Sequence, residues 1–218
     1  MMHNRSRLKA IMVFLCLWIG MLTMQAQTIA GIKFGLSTPH VSPQSFQVAH
    51  EGVTYYNVKV EQANFGIHAG IFLEAQMGHF FIQPELVFNA NTVDYSLDSL
   101  FAAGQTSASI EETYRYLDMP LMLGFKAGVL RLGAGPVGHM FISADDGFSG
   151  YPGYTPDFEK FTWGWQAGIG FDFWKLHLDF RYESNNDSQL GDHITFFGQS
   201  YDFATDNNRI IGSVGLSF

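Results

Sequence analysis

Charged residues recur at every second position of stretches that are otherwise apolar in this 218-residue chain. Glu74, Glu85, Asp118, Arg131, Asp172, Asp179, Arg181, Glu183 and Arg209 are all placed in this way. Period-2 spacing puts such residues on one face of a strand. Carboxylates and guanidinium groups on a shared, enclosed face can neutralise one another in a ladder of salt bridges. They can also relay protons or ions, since buried charge often marks function. Height above the nearest turn sets the expected pairs: Arg131 stands level with Glu74, and Glu85 with Arg181. We read Glu74, Glu85, Arg131, Asp172, Asp179, Arg181, Glu183 and Arg209 as a structural charge network.

Histidine could supply base chemistry. His40 and His50 fall in one polar connection, His68, His139 and His177 in strands, and His193 in another connection. His139 and Ser143 are four apart, with Asp145 and Asp146 following. On a strand that is one face but roughly 13 Å, too far for a nucleophile–base hydrogen bond. No catalytic residue is therefore assigned, and an enzyme is not expected. Of the 20 acidic residues, 14 lie in the polar connections. Hard cations take carboxylate oxygens, yet no calcium-loop spacing is present. These acids read as solvating charge, and neither metal nor cofactor is assigned. Tyr151, Tyr154, Trp163 and Trp165 read as an interfacial girdle rather than a sugar platform.

The elements that position these residues are strands. Phe65, Ile67, Ala69, Ile71 and Leu73 alternate with Gly66, His68, Gly70, Phe72 and Glu74. Trp163, Trp165, Ala167, Ile169 and Phe171 alternate with Gly164, Gln166, Gly168, Gly170 and Asp172. Eight such strands are expected, at 30–37, 64–76, 79–90, 113–126, 129–142, 161–173, 175–184 and 208–218. Most approach ten residues or more, about what a tilted strand needs to cross a bilayer. Met77-Gly78, Ala127-Gly128 and Trp174 make tight turns, whereas 38–63, 91–112, 143–160 and 185–207 are long and polar. Short turns on one side and long loops on the other describe an outer-membrane barrel with both termini in the periplasm. Bulky aromatics on one face and glycine with polar residues on the other favour lipid outside over a soluble barrel. Pro84, Pro120 and Pro136 remove ladder donors, so bulges or strand ends are expected there.

The first 26 residues have the pattern of a cleaved secretory signal. Arg5, Arg7 and Lys9 precede an apolar run from Ala10 to Met21, and the segment closes on Ala26. The single cysteine, Cys16, lies inside that run, so residues 27–218 would form the mature domain without thiol chemistry. Without its three basic residues the chain keeps 9 Lys+Arg against 20 Asp+Glu, a net charge of −11 rather than −8. That charge balance excludes a nucleic-acid footprint. The fold class is thus all-β: an eight-stranded antiparallel up-and-down transmembrane β-barrel. Its interior is just wide enough for side chains, which argues against a porin.

Phe80-Phe81-Ile82-Gln83-Pro84-Glu85-Leu86, Tyr116-Leu117-Asp118-Met119-Pro120-Leu121-Met122-Leu123 and Leu132-Gly133-Ala134-Gly135-Pro136 resemble the phrases of the PorT-like outer-membrane β-barrel family of Gram-negative bacteria. The resemblance covers almost the whole mature chain. It implies residence in the bacterial outer membrane and contact with its lipid. The closing Phe218 resembles the terminal strand read by the barrel-assembly machinery. The function expected is a non-enzymatic envelope structural or surface-interaction role through four external loops. An envelope or extracellular protein would be the partner. The alternatives are a lipid-modifying enzyme at the barrel rim, or an accessory subunit of a secretion machine, which the family alone suggests.

Overall fold

The computed structural model describes residues 27–39, 45–99, 106–145, 147–148, 150–157, 161–185, 193–202 and 208–218. The expected signal segment, with Cys16, and His40 lie outside them. Thirteen strands form among the described residues: β1 (Gln27–Pro39), β2 (Ser45–His50), β3 (Val53–Ala63), β4 (Gly66–Met77), β5 (Phe80–Ser99), β6 (Thr106–Ala127), β7 (Leu130–Ala144), β8 (Tyr154–Asp157), β9 (Phe161–Phe173), β10 (Leu176–Asn185), β11 (His193–Phe196), β12 (Gln199–Asp202) and β13 (Asn208–Ser217). Every pairing is antiparallel.

Pairing runs β5-β4-β1-β13-β10-β9-β7-β6, and β6 pairs back onto β5. Among the described residues, these strands thus close into a ring of hydrogen bonds. A walk across matched partners goes from Gln27 through Gln76, Phe81, Gly124, Gly133, Gly168, Arg181 and Ile211 to Ser37. It returns to β1 ten residues further on. That stagger over eight strands corresponds to a tilt of about 40°. Gly78 and Gly128 sit in tight turns at φ 63° and 62°, and Trp174 takes the same left-handed conformation at 55°.

The ring is apolar outside. Phe34, Ile71, Leu86, Leu123, Trp165, Phe180 and Val214 are all exposed, and the alternate residues are buried. Glycine lets the inner face close up. A Cβ at Gly35 would lie 2.0 Å from the Gly212 carbonyl and 2.5 Å from His68 Nε2, and one at Gly168 would lie 2.3 Å from the Phe180 carbonyl.

The prolines behave differently from the expectation. Partners are interrupted beside Pro84 between β4 and β5, beside Pro120 between β5 and β6, and beside Pro136 between β6 and β7. No register shift accompanies them, and no strand ends there. Each proline removes one N–H, while flanking pairs such as Phe72 with Glu85 and Ala75 with Ile82 hold one register. The register shift between β6 and β7 falls elsewhere, between Arg115 and Tyr116.

The long connections are also not loops throughout. β5 and β6 run on as a ladder to Ser99 and Thr106. β3 joins the upper part of β5, and β2 joins β3. β8, β11 and β12 form a separate three-stranded sheet. Val48, Tyr56, Val58, Val93, Tyr95, Leu97, Ile110, Tyr114, Tyr116, Phe148 and Phe196 pack into one buried cluster drawn from both sheets. The ring therefore carries a folded head with its own core. Phe197 pins it, stacking on His50 at 4.6 Å and meeting Tyr55 at 5.1 Å.

Along β5 and β6 the two faces exchange character. Outward residues change from Leu86 and Phe88 to Thr92, Asp94 and Ser96, and from Leu121 and Leu117 to Arg115 and Thr113. Inward residues change from Glu85 and Asn89 to Val93, Tyr95 and Leu97, and from Asp118 to Tyr116 and Tyr114. The lower half turns its apolar side outward, and the head turns it inward.

Inside the head, Tyr114 donates to Glu112, and its hydroxyl lies 3.0 Å from that of Tyr95. Burial raises both tyrosine pKa values above the ordinary range. A raised folded-state value stabilises fully below the unfolded value of about 10, and that stability is lost as pH climbs beyond it. We predict that Tyr95 and Tyr114 ionise only as the head opens in alkali. Tyrosinate absorbance, compared with Tyr95→Phe, should show a late, cooperative step. Smooth titration at the ordinary tyrosine value would contradict this.

Candidate functional site inside the ring

The ring interior is a column of charge. Nearest the tight turns, Lys126 Nζ lies 2.6 Å from Glu74 Oε1 and 2.7 Å from Asp172 Oδ2. Arg131 reaches Glu74 at 3.1 Å and Asp179 at 2.7 Å. Both cations lie over the Phe81 ring, at 5.8 and 5.7 Å from its centroid. In the middle, Arg181 donates to Glu85 at 2.6 Å and to Asp179 at 3.3 Å. Lys33 donates to Glu85 at 2.9 Å, and Gln83 to the other Glu85 oxygen at 2.6 Å. Toward the head, Arg209 meets Asp118 at 2.7 Å, and its Nε lies 2.6 Å from Glu183 Oε1. His139 Nδ1 faces Asp118 at 2.7 Å, and its Nε2 faces Asn185 Oδ1 at 3.1 Å. Asp179 and Gln166 link the layers, since Gln166 accepts from Arg181 at 3.1 Å and donates to Glu183 at 2.7 Å.

All eight residues named from the sequence lie in this column, with Arg131 beside Glu74 and Arg181 beside Glu85. Sequence reasoning left out Lys33 and Lys126, although both share the polar parity of their strands. It also left out Gln83, Gln166 and Asn89, which carry no formal charge. The column counts six carboxylates (Glu74, Glu85, Asp118, Asp172, Asp179, Glu183) against five cations (Lys33, Lys126, Arg131, Arg181, Arg209). Such near-balance is what an enclosed, poorly hydrated interior requires, because an unpaired buried charge is far costlier than a paired one.

Little room remains between these groups. A cavity of about 20 Å³ lies among Lys33, His68, Asn89, Asp118 and Arg209, and one of about 10 Å³ beside Phe81 and Asp179. Spaces of this size take isolated waters, not a solute stream. Asn89 donates Nδ2 to Asp118 at 3.1 Å, while its Oδ1 finds no partner among the described residues.

Three histidines meet hydroxyl or carboxylate groups. His68 Nε2 lies 2.9 Å from Ser213 Oγ. His139 is held between Asp118 and Asn185, not by Ser143, which pairs across from Arg115. His177 lies between Asp172 Oδ1, 2.8 Å from its Nδ1, and Ser217 Oγ, 3.0 Å from its Nε2. Among the described residues no group of three or more His, Cys, Asp or Glu side chains could hold a metal ion. The aromatic set read as one girdle divides: Tyr151 and Tyr154 pack against the head core, while Trp163 and Trp165 are exposed on the ring.

Outside the column, the Arg115–Asp145 pair at the foot of the head is solvent-exposed. Two hydrogen bonds from Arg115 hold the Asp145 carboxyl below its usual range.

A family model described as "Outer membrane protein beta-barrel domain" matches residues 25–185, from the first strand of the ring to the end of β10. No curated protein matches the chain.

The column predicts a stability hierarchy. Arg181→Ala leaves Glu85 and Asp179 short of their central cation and should cost roughly 3–5 kcal/mol. Removing the charge of Glu85 at the same time, as Arg181→Met with Glu85→Gln, should recover part of that loss. Heat-induced unfolding in detergent, followed by gel mobility, measures both. No recovery in the double variant would count against the coupling.

Proposed function

The chain belongs to the outer membrane protein beta-barrel domain family, and from that premise we propose that it displays its head at the cell surface. In this reading the ring is an eight-stranded up-and-down barrel, closer to the PorT-like branch than to porins. A signal segment over residues 1–26 is cleaved, both termini lie in the periplasm, and the barrel-assembly machinery inserts the chain. The role of the head is non-enzymatic: that of an envelope structural or surface-interaction protein whose partner is another envelope or extracellular protein.

The observation that carries this reading is the exchange of face character between Phe88 and Thr92 on β5, and between Leu117 and Arg115 on β6. A surface with apolar residues outward suits lipid, and one with apolar residues inward suits water. Continuous strands such as Phe80–Ser99 thus pass from one solvent into the other. The filled column supports display over transport.

One observation favours a second reading, a lipid-modifying enzyme at the rim. It is the alignment of Asp172, His177 and Ser217 at the tight-turn end.

Three measurements test the display reading. On intact cells, an impermeant maleimide should label Ser96→Cys but not Leu86→Cys. In planar bilayers the purified protein should pass negligible current, and steady large pores would reject the filled interior. Photo-crosslinkers at Ser96 and Ser109 should capture a specific partner on living cells. A chain that forms no adduct from any head position would not fit a surface-interaction role.

A further inference from the structure

Charge neutralisation does not explain why His177 is where it is. Asp172 is already neutralised by Lys126 at 2.7 Å, with Arg131 at 3.6 Å. The tight turn between β9 and β10 nevertheless sets His177 directly opposite Asp172 on the inner face. On the next strand Gly215 lies opposite His177, and Ser217 two residues further along, at the same inward parity. A Cβ at Gly215 would stand 3.3 Å from that of His177 and 3.2 Å from the Phe72 ring. Phe72 packs edge-on against the imidazole, with centroids 5.3 Å apart. The ring is therefore fixed on several sides.

With the Nδ1 proton directed at Asp172, Nε2 would accept from the Ser217 hydroxyl, which also lies 3.5 Å from the Lys175 carbonyl. Acid, imidazole and hydroxyl stand in the order that activates a serine. The other two histidines of the column lack it among the described residues. His68 Nε2 meets the Ser213 hydroxyl, and the second nitrogen of His139 faces an amide. The position is also the more open end of the column. The side chains of Asp172 and Lys126 keep 15% and 11% of their exposure, against 9% or less for the other paired aspartates, glutamates, lysines and arginines there. His177 and Ser217 are themselves buried, while Phe173, Leu176 and Phe218 are exposed on the outer face beside this mouth and Trp174 in its turn, with Lys175 Nζ 5.5 Å from the Trp174 ring.

We propose that Ser217 is a nucleophile, activated by His177 and positioned by Asp172, that cleaves acyl esters presented at the tight-turn mouth. This rests on the second reading above and leaves the display role of the head untouched. The apolar outer face beside the mouth suits an acyl chain and Lys175 an anionic head, so the substrate class is an amphipathic ester. In the step, Ser217 Oγ bonds to the ester carbonyl carbon as its proton passes to His177 Nε2. The carbon–alkoxy bond then breaks, and the departing alcohol takes that proton. Water, deprotonated by His177, releases the acid and regenerates Ser217.

The test uses the full chain in lipid nanodiscs with a fluorophosphonate probe and a short-chain p-nitrophenyl ester. Labelling should map to Ser217 and disappear in Ser217→Ala, with retained gel mobility showing that the ring is intact. His177→Gln should slow labelling by about a hundredfold, and ester turnover should fall in step. No labelling of the wild-type chain, or equal labelling of Ser217→Ala, overturns the assignment. Lipid mass spectra from cells with and without the protein separate this from the reading it rests on. Changed acylation without labelling overturns Ser217 alone, and unchanged acylation without labelling overturns both.

Discussion

Strand alternation gives each side chain one of two destinations, and the ring leaves no third. Once the outer face is apolar, everything polar on β1, β4, β5, β6, β7, β9, β10 and β13 must be satisfied within a space barely wider than the side chains themselves. The interior answers with near-equal charge. Asp179 is shared by Arg131, Arg181 and Lys33, and Glu85 by Lys33 and Arg181. Such sharing ties strands far apart in sequence, so the column fixes the register that the backbone ladder alone repeats. Glycine at positions such as Gly35 and Gly168 lets the charged groups lie flat against the opposite backbone.

The same rule explains the head. β5 and β6 keep strict alternation above Thr92, but the two faces exchange character there. Tyr95, Tyr114, Phe148 and Phe196 form a conventional core there, closed by the small sheet of β8, β11 and β12. The column below and the core above share one continuous inner face, and each excludes water in its own way.

The sequence made the ring legible because alternation with bulky aromatics outside is hard to mistake, and because charge at the inner parity is sparse. Arg131 beside Glu74 and Arg181 beside Glu85 could be read from distance to a turn. Lys33 and Lys126 could have been read in the same way. The head could not be found by looking for lipid-facing residues. Thr92, Asp94, Ser96 and Asp98 suggest a loop by composition, and only Val93, Tyr95 and Leu97 between them betray the strand. The prolines misled for another reason. A missing donor was expected to displace the chain, but neighbouring pairs on both sides held the ladder in place. Asp172, His177 and Ser217 meet across three strands, so no linear spacing announces them, although the first two face each other across one tight turn.

The head is assembled from pieces that the chain supplies at opposite ends of its synthesis. β2 and β3 come from the connection after the first strand of the ring, and β11 and β12 from the connection before the last. Phe197 seals the two by stacking on His50. A ring that stops at β10 can therefore not present the finished head. The surface formed where these pieces meet is a receipt for a chain laid down as far as β12, and a reagent that recognises it would count only chains whose first and last long connections have met.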